Sequence, residues 1–280
     1  MIPAEFDYVA PANLVDALRI LNEYGEGAKP LAGGHSLIPL MKLRLARPEL
    51  LIDLRNVSEL RGIRQQGDQL RIGAMTTHSE VAASILVNQQ APALAQAAYE
   101  IGDRQVRARG TIGGSLAHND PAADLPAVML ALDAQIVLRS SSGERVVAAG
   151  DFIRGMLETA IEPNELLTEV RVKVAPRSAY VKFPNPASHY AITGVAAAVE
   201  GNGNTSAARI GVTGAAPIAY RASGAEAALA GKALSADAIE AASAAAHDGR
   251  ELLGDIHASA EYRAALVRVL TKRALQKIAG

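Results

Sequence analysis

The feature that most constrains this chain is a glycine pair that occurs twice, each time between a short apolar segment and another apolar stretch. The first is Leu31-Ala32-Gly33-Gly34-His35-Ser36-Leu37 and the second Thr111-Ile112-Gly113-Gly114, followed by His118, Asp120 and Asp124. Consecutive small residues let successive backbone N–H groups converge on one point, a nest for an anion such as phosphate. In the first loop Ser36 can add a hydroxyl donor. Neither loop fits G-x-G-x-x-G or G-x-x-x-x-G-K-[ST]. Taken alone, the first reads more readily as a Gly-Gly turn with no ligand.

Two nests in one domain suit a pyrophosphate, which has oxygens to satisfy on both sides. The carboxylates of Asp120 and Asp124 would then face hydroxyls or ring N–H groups, since like charges repel. A dinucleotide is the ligand this pattern suits.

The rest of the chain narrows the class. With 28 Lys+Arg against 29 Asp+Glu the net charge is −1, which argues against nucleic acid or an anionic membrane as a partner. Hydrophobic residues at 49% allow a real core. No apolar run approaches the ~18 residues of a membrane span, and the opening residues carry no export pattern, so the expected location is cytoplasmic. The chain has no cysteine, so it can build no disulfide, thiolate nucleophile or iron–sulfur site from its own residues. Its histidines show no zinc spacing, and no metal is expected. A serine hydrolase lacks its G-x-S-x-G elbow.

Periodicity predicts a helix from about Leu14 to Gly25, strands at Lys29–Leu31, Leu50–Leu54 and Leu70–Ile72, a helix from the Thr77/Glu80 capping box toward Val87, and one from Pro92 to about Ile101. Residues 143–150 read as a turn, leading into a loop with a helical turn over 151–159. Leu167–Val174 alternates as a half-buried strand. Beyond Pro176 strands are expected at Val195–Val199 and Arg209–Thr213, and helices at Ala222–Ala230, Ser235–His247 and Ser259–Ile278. The domain boundary falls near 175–180.

The two glycine segments, with Asp120-Pro121-Ala122-Ala123-Asp124-Leu125-Pro126 after the second, resemble the paired FAD signatures of the medium flavoprotein subunit of the molybdenum hydroxylases, the xanthine dehydrogenase and aerobic carbon monoxide dehydrogenase family. The resemblance runs over essentially the whole chain, including Ile52-Asp53-Leu54, Gly73-Ala74-Met75-Thr76-Thr77 and Glu165-Leu166-Leu167. It implies an α+β fold: a two-lobed vanillyl-alcohol-oxidase-type FAD-binding domain over residues 1–176, then a smaller α+β domain over 177–280 with an antiparallel sheet and helices. It also implies that Leu31 to Leu37 and Thr111 to Gly114 cradle the FAD pyrophosphate by their backbones. His118, Asp120 and Asp124 would contact the ribityl and adenosine portions, while Ile101, Leu166 and Leu167 would line the flavin cavity. Lys182 would sit at the ring, raising its reduction potential by direct charge attraction, and Tyr190 would cover one face. The Phe183-Pro184-Asn185-Pro186 run departs from a more basic stretch in relatives.

The family role is that of an electron-transfer subunit. A large partner subunit carries the molybdenum cofactor, a small partner carries [2Fe-2S] clusters, and electrons leave through this chain to an external acceptor, in a dimer of heterotrimers. Two other readings remain open, a self-sufficient FAD-dependent oxidase and a non-catalytic flavin- or nucleotide-binding assembly module.

Overall fold

A computed structural model describes residues 2–280 except Asn202, Gly203, Ser206 and Asp248. The first lobe is a three-stranded parallel sheet in the order β1-β3-β2, from β1 (Asp7–Val9), β2 (Ala28–Leu31) and β3 (Leu50–Asp53). Helix α1 (Leu14–Tyr24) starts where the Asn13 side chain accepts from Asp16 N, and ends at Gly25 with φ +51°. It buries Leu14, Leu18 and Leu21, the residues whose spacing predicted it. The short helix α2 (Leu37–Lys42) follows the first glycine pair.

The second lobe is a five-stranded antiparallel sheet, order β4-β5-β10-β6-β7. Strands β4 (Ile63–Gln66) and β5 (Gln69–Gly73) lead to helices α3 (His78–Ala83), α4 (Ile85–Gln90), α5 (Pro92–Glu100), α6 (Arg104–Arg109), α7 (Ile112–His118) and α8 (Leu125–Ala131). After β6 (Gln135–Ser140) and β7 (Gly143–Ala148) come helix α9 (Ala149–Phe152), the small hairpin β8 (Ile153–Gly155) and β9 (Glu158–Thr159), and β10 (Leu166–Lys173).

Three sequence expectations change here. The Thr77/Glu80 capping box is present, but the helix stops at Ala83, because Ser84 turns extended and its hydroxyl caps a new helix at Val87 N. Residues 143–148 are not a turn but strand β7, paired with β6 along its length. As an edge strand largely open to solvent, it shows little of the apolar alternation by which strands are recognised. The second glycine pair is not a loop: it lies inside α7.

The last domain holds a four-stranded antiparallel sheet, β11 (Ser178–Pro184), β12 (Ala191–Glu200), β13 (Ala207–Thr213) and β14 (Tyr220–Arg221), with helices α10 (Ser223–Leu229), α11 (Ala236–Ala244) and α12 (Ala260–Ala279). Strand β12 is buried on both faces: Ala196 and Ala198 join the core of the second lobe, while Val195, Ala197 and Val199 face the core built with α12. Helix α8 packs on β13 so closely that a Cβ on Gly211 would lie 2.0 Å from Ala127 O. No helix among the described residues is long and apolar enough to cross a membrane.

Candidate functional site

The two glycine signatures meet. A Cβ on Gly33 would lie 2.4 Å from Arg109 O and 2.7 Å from Gly110 Cα, and one on Gly114 would lie 3.3 Å from Ala32 Cβ. Gly33 therefore packs backbone to backbone across the seam between the lobes, where no side chain fits, and Gly114 closes on the Ala32 methyl beside it.

Only the first signature is an open nest. Leu31 ends β2, Gly34 takes φ +76°, and the chain folds back into α2 with Ile38 N donating to Gly34 O. The N–H groups of Gly34, His35, Ser36 and Leu37 have no acceptor among the described residues, and neither has the Ser36 hydroxyl a partner. Four successive unpaired donors on a partly exposed loop are the donor set an anionic pyrophosphate requires. His35 is exposed, its Nδ1 3.1 Å from Gly33 O.

The second signature, expected as another nest, spends three of its four backbone donors internally. Ile112 N donates to Thr76 O (3.0 Å), Gly113 N to Ala74 O (2.9 Å) and Gly114 N to the Thr111 hydroxyl (3.1 Å). Gly113 is glycine because a Cβ would lie 2.5 Å from that of Ala74. What this segment retains for a phosphate is the Thr111 N–H, which has no acceptor among the described residues, and the Thr111 hydroxyl proton at the N-cap of α7.

Beneath the seam is His78, a residue the sequence distinguished only as one of six histidines. Its Cδ2 and Nε2 edge packs on Gly110, its Nδ1 is buried without a partner, and burial, with His35 and Arg107 adding repulsion, pushes its pKa down to about 4. The unfolded chain takes up the proton from pH 6.5 downward and the folded one only near 4, so stability falls across that window by about 3 kcal/mol. A His78→Leu chain is expected to lose less stability than the parent between pH 7 and 4.5; equal losses in urea unfolding would remove this account.

At the far end of α7, Asn119 adopts the left-handed conformation and its Nδ2 donates to Gly155 O (2.8 Å) and Glu158 O (2.9 Å), fastening the β8–β9 hairpin. His118 is half-buried before it, and Asp120 accepts from Ala122 N in a local turn. The Asp120–Asp124 segment is stitched to the last domain: Ala191 N donates to Ala122 O, Gly214 N to Pro121 O, and the Thr213 hydroxyl to Ala123 O at 2.7 Å.

Asp124, Tyr180 and Lys182 form a buried group across the two domains. The Tyr180 hydroxyl donates to Asp124 at 2.5 Å, and the Lys182 ammonium lies 3.0 Å from the same carboxylate. Burial pushes the Asp124 carboxyl up despite Lys182 and Tyr180, and pushes the Tyr180 phenol well up. Lys182 also donates to Glu100 O (2.7 Å) and His189 O (2.8 Å). Its three protons are thus all committed, its charge is paired, and its side chain is 1% exposed. No ammonium proton is left over for another acceptor in this arrangement. Tyr180 carried no sequence signal beyond lying two residues before Lys182 on one strand face.

Tyr190 lies beside this group, 43% exposed, its phenol raised first by burial and then by Asp120 and Asp124. Ile101 follows the carbonyl that Lys182 holds and is half-buried against the core. Leu166 and Leu167 are both buried, but in different cores, because successive residues of β10 face opposite sides of the sheet. With buried Ile112 and Gly113 they support the site from beneath.

Comparison with known proteins agrees with this architecture. Residues 4–174 match the FAD-binding domain in molybdopterin dehydrogenase, and residues 178–278 the carbon monoxide dehydrogenase flavoprotein C-terminal domain. The chain is 43% identical to the carbon monoxide dehydrogenase medium chain of Hydrogenophaga pseudoflava over 98% of its length and 97% of that protein's. It is 41% identical to the 6-hydroxypseudooxynicotine dehydrogenase complex subunit alpha of Paenarthrobacter nicotinovorans, over 99% and 95%. The solved structure of quinoline 2-oxidoreductase from Pseudomonas putida 86 superposes with a TM-score of 0.94 at 35% identity, covering 100% of this chain and 98% of that one. A nest of unpaired donors sealed against a second glycine segment, in a fold shared over the full length with these proteins, makes this chain a member of the FAD-binding medium-subunit family of the molybdenum hydroxylases.

Proposed function

We propose that this chain is the FAD-bearing electron-transfer subunit of a heteromeric molybdenum hydroxylase. It takes electrons from iron–sulfur clusters on a small partner subunit and passes them to an external acceptor, while a large partner subunit carries the molybdenum cofactor and the substrate. We further propose a dimer of heterotrimers, a cytoplasmic location, and functional units at residues 1–176 and 177–280. The observation that carries the reading is the run of free N–H groups from Gly34 to Leu37 in a chain with no cysteine. The chain can hold a dinucleotide phosphate, and any iron–sulfur cluster that feeds it has its thiolates elsewhere.

When bound, FAD supplies a centre that accepts electrons one at a time and releases them in pairs. The first glycine loop binds the pyrophosphate, with Ser36 and Thr111 adding hydroxyl donors. Helix α7, seven residues and so ~10 Å long, separates this loop from Asp120, Asp124 and Tyr190. That spacing supports an extended cofactor with its pyrophosphate at one end of α7 and its ring at the other, where Tyr190 shields a face from water. His118 and Asp120 are proposed to contact the sugar portions.

Relatives of similar identity carry names with chemically unrelated substrates, carbon monoxide and a hydroxylated nicotine derivative. Substrate choice therefore belongs to the partner. The test is reconstitution: with FAD but no partners the chain turns over no candidate substrate, and activity appears when the molybdenum and iron–sulfur subunits are both added. Turnover by the chain with FAD alone would replace this reading with a self-sufficient oxidase.

A further inference from the structure

Three of the hydrogen bonds that hold the Tyr190 turn come from different places. Asn185 N donates to Tyr190 O (2.8 Å), Ala191 N reaches across to Ala122 O (3.1 Å), and the Lys182 ammonium donates to His189 O. His189 itself sits at φ +59°, a left-handed conformation uncommon for a residue that carries a Cβ. Within the chain Lys182 is what fastens that peptide to the N-terminal domain, through Asp124 at the start of α8 and Glu100 O at the end of α5. One buried ammonium thus joins two helix ends to the turn that presents an aromatic ring.

We propose that Lys182 is the positioning residue for Tyr190: by bridging Asp124, Glu100 O and His189 O it sets where the Tyr190 ring stands. Its influence on a bound flavin then passes through that ring instead of through direct contact. The clamp stands on the chain's own geometry; only its consequence for a flavin rests on the proposed function.

The chain has no tryptophan, so Tyr190→Trp provides a single-site reporter in the full chain. Adding Lys182→Met is expected to raise the acrylamide quenching constant of that tryptophan at least about twofold, while a Tyr24→Trp reporter at the exposed end of α1 is unmoved. An unchanged constant at 190, or an equal rise at 24, overturns the clamp. Where Lys182→Met does not fold, Asp124→Asn/Lys182→Met removes both charges and the same readings decide. In the FAD-loaded chain, Tyr190→Ala and Tyr190→Ala/Lys182→Met are expected to share one flavin potential, and a further shift in the double variant means that the ammonium acts on the flavin without the ring and also overturns the proposal. Failure of the parent to bind FAD would count against the proposed function but leave the quenching result intact.

Discussion

Gly33→Ala is expected to cost the chain about 1–3 kcal/mol of stability and to weaken FAD binding by about 100-fold or more. The new Cβ would stand 2.4 Å from Arg109 O and 2.7 Å from Gly110 Cα. Both obstacles are backbone, so neither can turn aside as a long side chain would. The lobes must separate, and the nest of Gly34 to Leu37 is built against that seam. Gly67→Ala is the matching control. It lies at φ +61° with nothing within 4 Å of its Cβ, so it carries only the left-handed strain of about 1–2 kcal/mol and no loss of cofactor. Flavin fluorescence titration and urea unfolding measure both. A Gly33→Ala chain that binds FAD within threefold of the parent would show that the nest does not depend on the seam.

Removing Asp124 has the second large effect. In Asp124→Ala the Lys182 ammonium stays buried with no counter-charge, and the Tyr180 hydroxyl loses its acceptor, for an expected loss of about 3–5 kcal/mol. The double variant Asp124→Asn/Lys182→Met leaves no stranded charge and is expected to cost less than the sum of its single changes. Strict additivity in the double-mutant cycle would mean that the pair is not coupled.

Much of the secondary structure is legible locally. Helices α1, α5 and α12 and strand β10 carry caps, a Pro at N1 or clean periodicity, signals contained within a few neighbouring residues. What escapes is decided elsewhere. Strand β7 is a strand because β6 lies beside it, and nothing within 143–148 says so. Gly113-Gly114 has the local composition of a turn; that its glycines serve close packing, with Gly113 N bonded to Ala74 O and no room for a Cβ against Ala74, depends on a residue 39 positions away. In the site, the free nest was readable from Ala32 to Leu37, whose donors are all local to one loop. The commitment of Lys182 was not, since two of its partners, Glu100 O and Asp124, lie 82 and 58 residues away.

The sequence alone determined that two glycine segments stand in one α+β chain, that their chemistry suits a dinucleotide, and that a cysteine-free chain ligates no iron–sulfur cluster itself, so that any cluster feeding it has its thiolates on a partner. The tertiary structure decided how those parts divide the work. It left one glycine pair open as the anion site, turned the other into the seam that closes against it, and withdrew Lys182 from the surface to hold the Tyr190 turn. The physical reason is that residue type states which donors a segment owns, whereas only packing determines which of them have already been spent on the rest of the chain.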